Sequence, residues 1–158
     1  MDDYSFLKTG FSNLIDNKEE TSDDIVIRIQ SILFSFMENG VKRAEEYVKH
    51  GNRNNITKED LQLCLKAETF DFLNRPDVLD SVLKWRKIIE DDLEEGDLSE
   101  DDLDIISNEE NKTLDVFCKN TCKCNCCDKL NNIEEMWNKW TPKDGIETIL
   151  YNAIIFHF

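Results

Sequence analysis

The 158-residue chain holds only five glycines, two prolines and two histidines, and each scarcity excludes something. So few turn-formers argue against a many-stranded sandwich or barrel and for a chain that is mostly helix. Two histidines leave little for acid–base work, and there is no Gly-rich phosphate loop, nucleophile elbow or His-Glu metal motif. A non-enzymatic role is expected. No apolar run approaches the roughly 20 residues that cross a bilayer. The start, Met1-Asp2-Asp3, lacks the basic flank of a signal peptide, so the expectation is an intracellular protein with no membrane partner. Also missing is any cluster of Lys and Arg that could neutralise phosphates, which excludes autonomous, non-specific grip on DNA.

What is abundant is acid, and it is local. The net charge is -15. Residues 1–75 contribute -4, residues 76–110 contribute -11, and residues 111–158 are neutral. The run over 90–110 combines like-charge repulsion with thin apolar content and reads as an acidic linker, 90–111. Leu93, Leu98, Leu103, Ile105 and Ile106 interrupt it at intervals, a pattern that could fold onto a basic protein. The acidic pairs Asp91-Asp92 and Asp101-Asp102 are read as solvated charge rather than catalytic carboxylates.

Hydrophobic spacing supplies the elements. Phe6, Leu7, Phe11, Leu14 and Ile15 mark a short amphipathic helix over 4–15, followed by a polar loop over 16–21. Ser22 can cap a long helix with Asp23 and Asp24 in its first turn, where the helix dipole favours acid. That helix runs to His50 and stops at Gly51-Asn52. Thr57 can cap a third helix with Asp60 completing a capping box, and Arg75-Pro76 ends it. An extra amphipathic helix follows within 76–89. In the C-terminal segment, 112–158, residues 133–140 read as a short helix carrying Met136, Trp137 and Trp140, with the two tryptophans taken as packing. Thr141-Pro142-Lys143-Asp144 predicts the start of the last helix at Thr141, and its apolar end, Ile155-Phe156-His157-Phe158, is expected to be docked.

About 28 residues of helix make a rod of roughly 42 Å. Its main apolar stripe includes Ile25, Ile29, Leu33, Phe36, Met37, Val41, Ala44 and Val48, with Val26, Ile27 and Phe34 beside it. Short helices of the same chain look insufficient to cover that length, so these eight residues are the expected dimer interface with a helix of another chain. The alternative is a monomeric bundle in which the C-terminal helices provide the cover.

The segment Arg53-Asn54-Asn55-Ile56-Thr57-Lys58-Glu59-Asp60 sits between the long helix and the next. Its spacing lets the cation return against the acid at the first turn of the following helix. This pattern resembles the second loop of the histone fold, and roughly residues 4–75, short helix, long helix, short helix, are similar to that family, within an N-terminal module drawn as 1–75. The resemblance implies an all-α protein whose N-terminal module pairs with another histone-fold chain, as a homodimer or heterodimer. It implies that Arg53 and Asp60 form a structural pair with Thr57 as the helix cap. The family's basic first loop and basic tail are absent here, which implies that DNA is touched only indirectly or through the partner. A role in a chromatin-like, transcription or DNA-packaging assembly follows, in a nucleus or in a viral particle or factory. Two other readings are an acidic histone chaperone or DNA mimic that binds a basic partner through 90–110, and a metal- or disulfide-stabilised structural virion protein.

Five of the six cysteines fall between Cys118 and Cys127. Such density of soft donors suits Zn²⁺, which takes four thiolate or imidazole ligands in a tetrahedron, and Cys118, Cys122, Cys124 and Cys127 are the candidate set. The spacings lack the second, distant pair of a zinc ribbon. His50 or His157 could supply a remote ligand, but nothing in the sequence places either nearby. Disulfides and free thiols stay open beside Zn²⁺. Cys64, on the apolar face of the third helix, is read as core.

Overall fold

The structure, a computed structural model, describes residues 22–95 and 116–157. Among these the regular structure is entirely helical: α1 (Ser22–His50), α2 (Lys58–Asp71), a 3-10 turn (Phe72–Asn74), α3 (Val78–Glu95), α4 (Asn125–Asn131), α5 (Ile133–Lys139) and α6 (Gly145–His157). The helix expected over 4–15, the polar loop 16–21 and most of the acidic run lie outside the described residues. No helix among the described residues is long and apolar enough to cross a membrane.

The long rod forms where the apolar stripe predicts it, with acids in its first turn and Lys49 and His50 in its last, both complementary to the helix dipole. It ends because Asn52 takes a left-handed conformation, φ 53°, while the Gly51 N–H donates to the carbonyls of Tyr47 and Val48. Asn tolerates that region better than most residues.

Helix α2 is the centre of the molecule. Residues 63–69 are all buried in succession, so it is enclosed on every side rather than striped, which is what a helix surrounded by others requires. It packs on α1, α4, α5 and α6. Gly40 permits the close approach of α1, since a Cβ there would run into the Leu65 side chain. Two apolar clusters result. One joins Ile32, Phe36, Leu65, Phe72, Val82, Trp137, Leu150 and Ile154; the other joins Ala44, Tyr47, Leu63, Cys64, Ala67, Cys127, Leu130 and Ile133.

Buried charge is matched between elements. Glu68, fully buried, receives Arg43 from α1 at 3.0 Å and both the Nε and the Nη2 of Arg75, one on each oxygen. Asp71 receives Arg43 and, at 2.7 Å, Lys129 from α4. Leaving Glu68 unpaired would strand a charge in a low-dielectric interior, while Asp71, partly exposed, bridges Arg43 and Lys129 and so ties α4 to the α1–α2 pair.

Helix α3 continues through 90–95, beyond the start of the acidic linker drawn from charge alone. Adjacent acids on a helix point in different directions, and Arg86 pairs with Glu90 one turn on, at 2.8 Å. Trp85 of this helix stacks on Phe34 at 5.2 Å and donates to Glu38 at 2.8 Å. The last helix starts at Gly145 rather than Thr141: Asp144 accepts the Glu147 N–H at 2.8 Å and Glu147 accepts the Lys143 N–H at 2.7 Å, so Asp144 is the better-placed cap. Its end is not docked as expected, because Ile154 is buried while Phe156 is 75% exposed. Trp137 and Trp140 pack with Phe70 and Tyr151.

The eight residues assigned to a dimer interface divide. Phe36, Ala44 and Val48 are buried within the chain itself. The expectation that its own helices were too short to cover α1 overlooked their sum: α3, α2 and the C-terminal helices share the task. Ile25, Ile29, Leu33 and Met37 are half-buried and Val41 is exposed. These five, four residues apart, form one ridge along α1.

Candidate metal centre

The cysteine cluster meets the C-terminal end of α1. Cys124 is the N-cap of α4, its sulfur accepting the Cys127 N–H at 3.4 Å. Cys124 and Cys127 therefore form a C-x2-C knuckle on the first turn of a helix, and Cys122 precedes it in an irregular segment. His50, the last residue of α1, brings its Nδ1 to 3.4 Å from both the Cys124 and the Cys127 sulfurs. The donor atoms of His50, Cys122, Cys124 and Cys127 all lie within 4.8 Å of one another. The group could hold a metal ion.

The fit can be tested against coordination geometry. A tetrahedral Zn²⁺ with bonds of about 2.3 Å to sulfur and about 2.0 Å to nitrogen separates its donors by roughly 3.5–3.8 Å. The two sulfur-to-nitrogen distances already stand near that value, so small inward shifts would complete the shell. Three thiols and an imidazole also match the Cys₃His donor set of structural zinc sites.

Thiol acidity follows the same geometry. The Cys127 N–H, together with the neighbouring thiols, brings Cys124 down to about 6, while burial pushes Cys127 up to about 11. Cys124 is therefore the thiol of this pair that ionises more readily to receive a cation. Cys126 is raised by burial, and Cys64, in the core as expected, is pushed up to about 12 by the same cause.

Hydrogen bonds from Asn120, Tyr47 and Asn131 hold the segment in place. Asn120, buried, donates its side-chain N–H to the Tyr47 carbonyl and, at 3.5 Å, to the Cys127 sulfur. Its backbone N–H donates to the Tyr47 hydroxyl, which donates in turn to Asn131 at 2.7 Å. Asn131 returns a bond to the Asn120 carbonyl at 2.9 Å. Such outer partners orient the ligands of a metal site.

Beside the centre stands the loop pair. Arg53 donates from both terminal nitrogens to the two oxygens of Asp60, each at 2.6 Å, the two-pronged geometry that only a guanidinium offers. Asp60 is fully buried and also accepts the Thr57 N–H at 2.9 Å and the Thr57 hydroxyl at 2.8 Å, while Thr57 caps α2 in a complete capping box. Burial alone would raise the Asp60 carboxyl; Arg53 and Thr57 outweigh it and hold it below the usual range.

Of the four cysteines chosen from sequence, three come together and Cys118 does not: its exposed thiol turns to the Lys119 carbonyl at 3.6 Å. His50 stands in its place. All six cysteines are free thiols, and none is joined in a disulfide. A sequence signal for the clustered set existed in part, since Cys124 and Cys127 have C-x2-C spacing; His50, named only as a possible remote ligand, carried no spacing signal, because its place beside the thiols depends on where α1 ends.

An open cavity of about 580 Å³ beside Cys126 is lined by Lys42, Arg43, Arg75 and Lys129. Each of these cations is matched by Glu38, Glu68 or Asp71, so the cavity offers no uncompensated charge to an anion. No protein-family model, curated protein or solved structure matches the chain.

Proposed function

We propose that the chain is a non-catalytic pairing module, associating through α1 with a second helical chain of the histone-fold kind, and that it serves a chromatin-like, transcription or DNA-packaging assembly. The observation that carries the reading is the Arg53–Asp60 fork closing the loop between a long helix and a short one buried along 63–69. That pairing, with Thr57 capping, is the residue-level arrangement the histone-fold resemblance implies. The ridge from Ile25 to Val41, partly buried at its first four positions and exposed at Val41, with Val26 at 49% exposure beside it, supplies a surface for such a partner among the described residues. With a net charge of -15, DNA is met through the partner's charge rather than this chain's.

In the same reading, Zn²⁺ is the ion for the His50, Cys122, Cys124 and Cys127 centre, and its role is structural. All four first positions are protein donors, which leaves no open one for catalysis. Sedimentation of the purified chain, and of the complex it forms in its source cell, tests the pairing. A stable helical dimer or heterodimer is expected. A fully helical monomer at micromolar concentration that recovers no helical partner overturns it.

A further inference from the structure

We propose that metal occupancy at the His50, Cys122, Cys124 and Cys127 centre is coupled to the Arg53–Asp60 loop: the ion closes the loop, and the closed loop tightens the ion. The inference rests on the Zn²⁺ reading above. It makes metal supply a regulator of the pairing module rather than a passive staple.

The coupling runs through short, rigid links. His50 is a ligand and Arg53 is three residues on. Between them the chain is pinned by the Gly51 N–H on Tyr47 and Val48 and the Arg53 N–H on Val48 at 3.0 Å. From the other side, the segment 116–123 has no helix of its own, yet it reaches the loop directly. Arg53 donates to the Cys118 carbonyl at 3.4 Å, from the same nitrogen that holds Asp60. Asn120 packs against Gly51 so closely that a Cβ at Gly51 would strike its side-chain oxygen. One irregular segment thus carries a metal ligand at Cys122, a bond to Arg53 at Cys118, and a wedge against Gly51 at Asn120.

Such a segment owes its position to its anchors. With no backbone ladder, its hold on the loop depends on Asn120, on the Arg53 bond and on Cys122 being tied to His50. An ion shared by His50 and Cys122 fixes both sides of this contact at once. Thermodynamic reciprocity then requires that the factor by which the ion favours the closed loop is also the factor by which the closed loop favours the ion, so an opened loop weakens the ion by up to that amount.

The test uses the full chain under reducing conditions, with Zn²⁺ affinity from chelator competition and amide exchange of residues 51–60 measured with and without the metal. Wild type is expected to bind one ion and to slow exchange over 51–60 by about tenfold or more. Gly51→Ala, which replaces no ligand and no member of the Arg53–Asp60 pair but pushes Asn120 off the loop and reaches the Arg53 side chain, should weaken Zn²⁺ by about fivefold or more; Arg53→Gln, whose side chain touches no ligand, should do the same, and Lys84→Ala should not. Circular dichroism confirms that each variant is folded, and Gly51→Ala carries the test if Arg53→Gln is not. Zn²⁺ binding with unchanged exchange, or a folded Gly51→Ala variant with wild-type affinity, overturns the coupling and leaves the zinc reading standing. A wild-type chain that takes up no Zn²⁺ overturns both.

Discussion

His50 Nδ1 lies 3.4 Å from the sulfur of Cys127, 77 residues further along the chain. An ion bound there closes a long loop and ties the C-terminal helices to α1, so its binding energy becomes folding energy. The purified, reduced chain is expected to carry one Zn²⁺. His50→Ala and Cys127→Ser should lose it, whereas Cys118→Ser should retain it, and a Co²⁺-substituted sample should show thiolate charge-transfer bands. Metal at about a hundredfold over its Kd should raise Tm by roughly 5–10 °C relative to chelated protein. Thermal melts with and without chelator check this.

Arg53→Ala should destabilise the chain by about 3–5 kcal/mol, because it strands a carboxylate that is fully buried. Arg53→Lys should recover only part, since an ammonium cannot engage both oxygens of Asp60. Urea titrations followed by helicity give both numbers.

Acid should act through the same carboxylate. The folded Asp60 is held below its usual range by Arg53 and Thr57 against the opposing effect of burial, and Asp71 is lowered likewise by Lys129 and Arg43. For a lowered carboxyl, the unfolded chain binds the proton first as pH falls. The stabilisation is therefore complete above the unfolded value of about 3.9 and disappears as pH drops through the lower folded value. Wild type should lose stability steeply below about pH 4. Asp60→Asn, less stable at neutral pH, should show a flatter acid limb, read from urea midpoints at stepped pH.

Much of this was legible because local chemistry decides it. Thr57 and Asp60 cap α2 as their types and spacing require, Gly51-Asn52 ends α1, and Arg53 reaches Asp60 across seven positions. Burial was harder to read. Phe36, Ala44 and Val48 look like the seam of a dimer on a helical wheel, and only the joint packing of α2, α3 and the C-terminal helices shows that this chain fills it. The cluster of donors differs from the candidate set at one position for a related reason: Cys118 is near the other cysteines in sequence, whereas His50 is near them only once the Glu68, Asp71, Arg43 and Lys129 network has seated α4. Position 144 displaced 141 as the helix start because an aspartate with Glu147 three residues ahead satisfies more backbone donors than Thr141 followed by proline.

Close helix approach gives a separate check on α1 and α2. Gly40→Ala puts a methyl group into the Leu65 side chain, and overpacking of this kind costs about 1–3 kcal/mol. A smaller loss would mean that Leu65 rotates away without disturbing the core. Urea midpoints for Gly40→Ala, and for the double variant with Leu65→Ala, separate the two: relief of the clash in the double variant is expected.

The ridge on α1 separates folding from pairing. Val26 and Val41 are 49% and 43% exposed, and at 100° per residue they lie within about 60° of each other around the helix axis. Val26→Glu and Val41→Glu should each change stability by no more than about 0.5 kcal/mol, as surface substitutions do. If α1 pairs with another chain through this ridge, the same changes place an unpaired carboxylate in an apolar contact and should weaken association by tenfold or more. Phe36→Ala makes the contrast. Its ring is buried against Phe72, so it should lose about 3–5 kcal/mol of stability, and its association should fall only to the extent that the chain unfolds. Measuring both quantities for all three variants decides the point: valine variants that stay folded and pair like wild type would exclude this face as the interface.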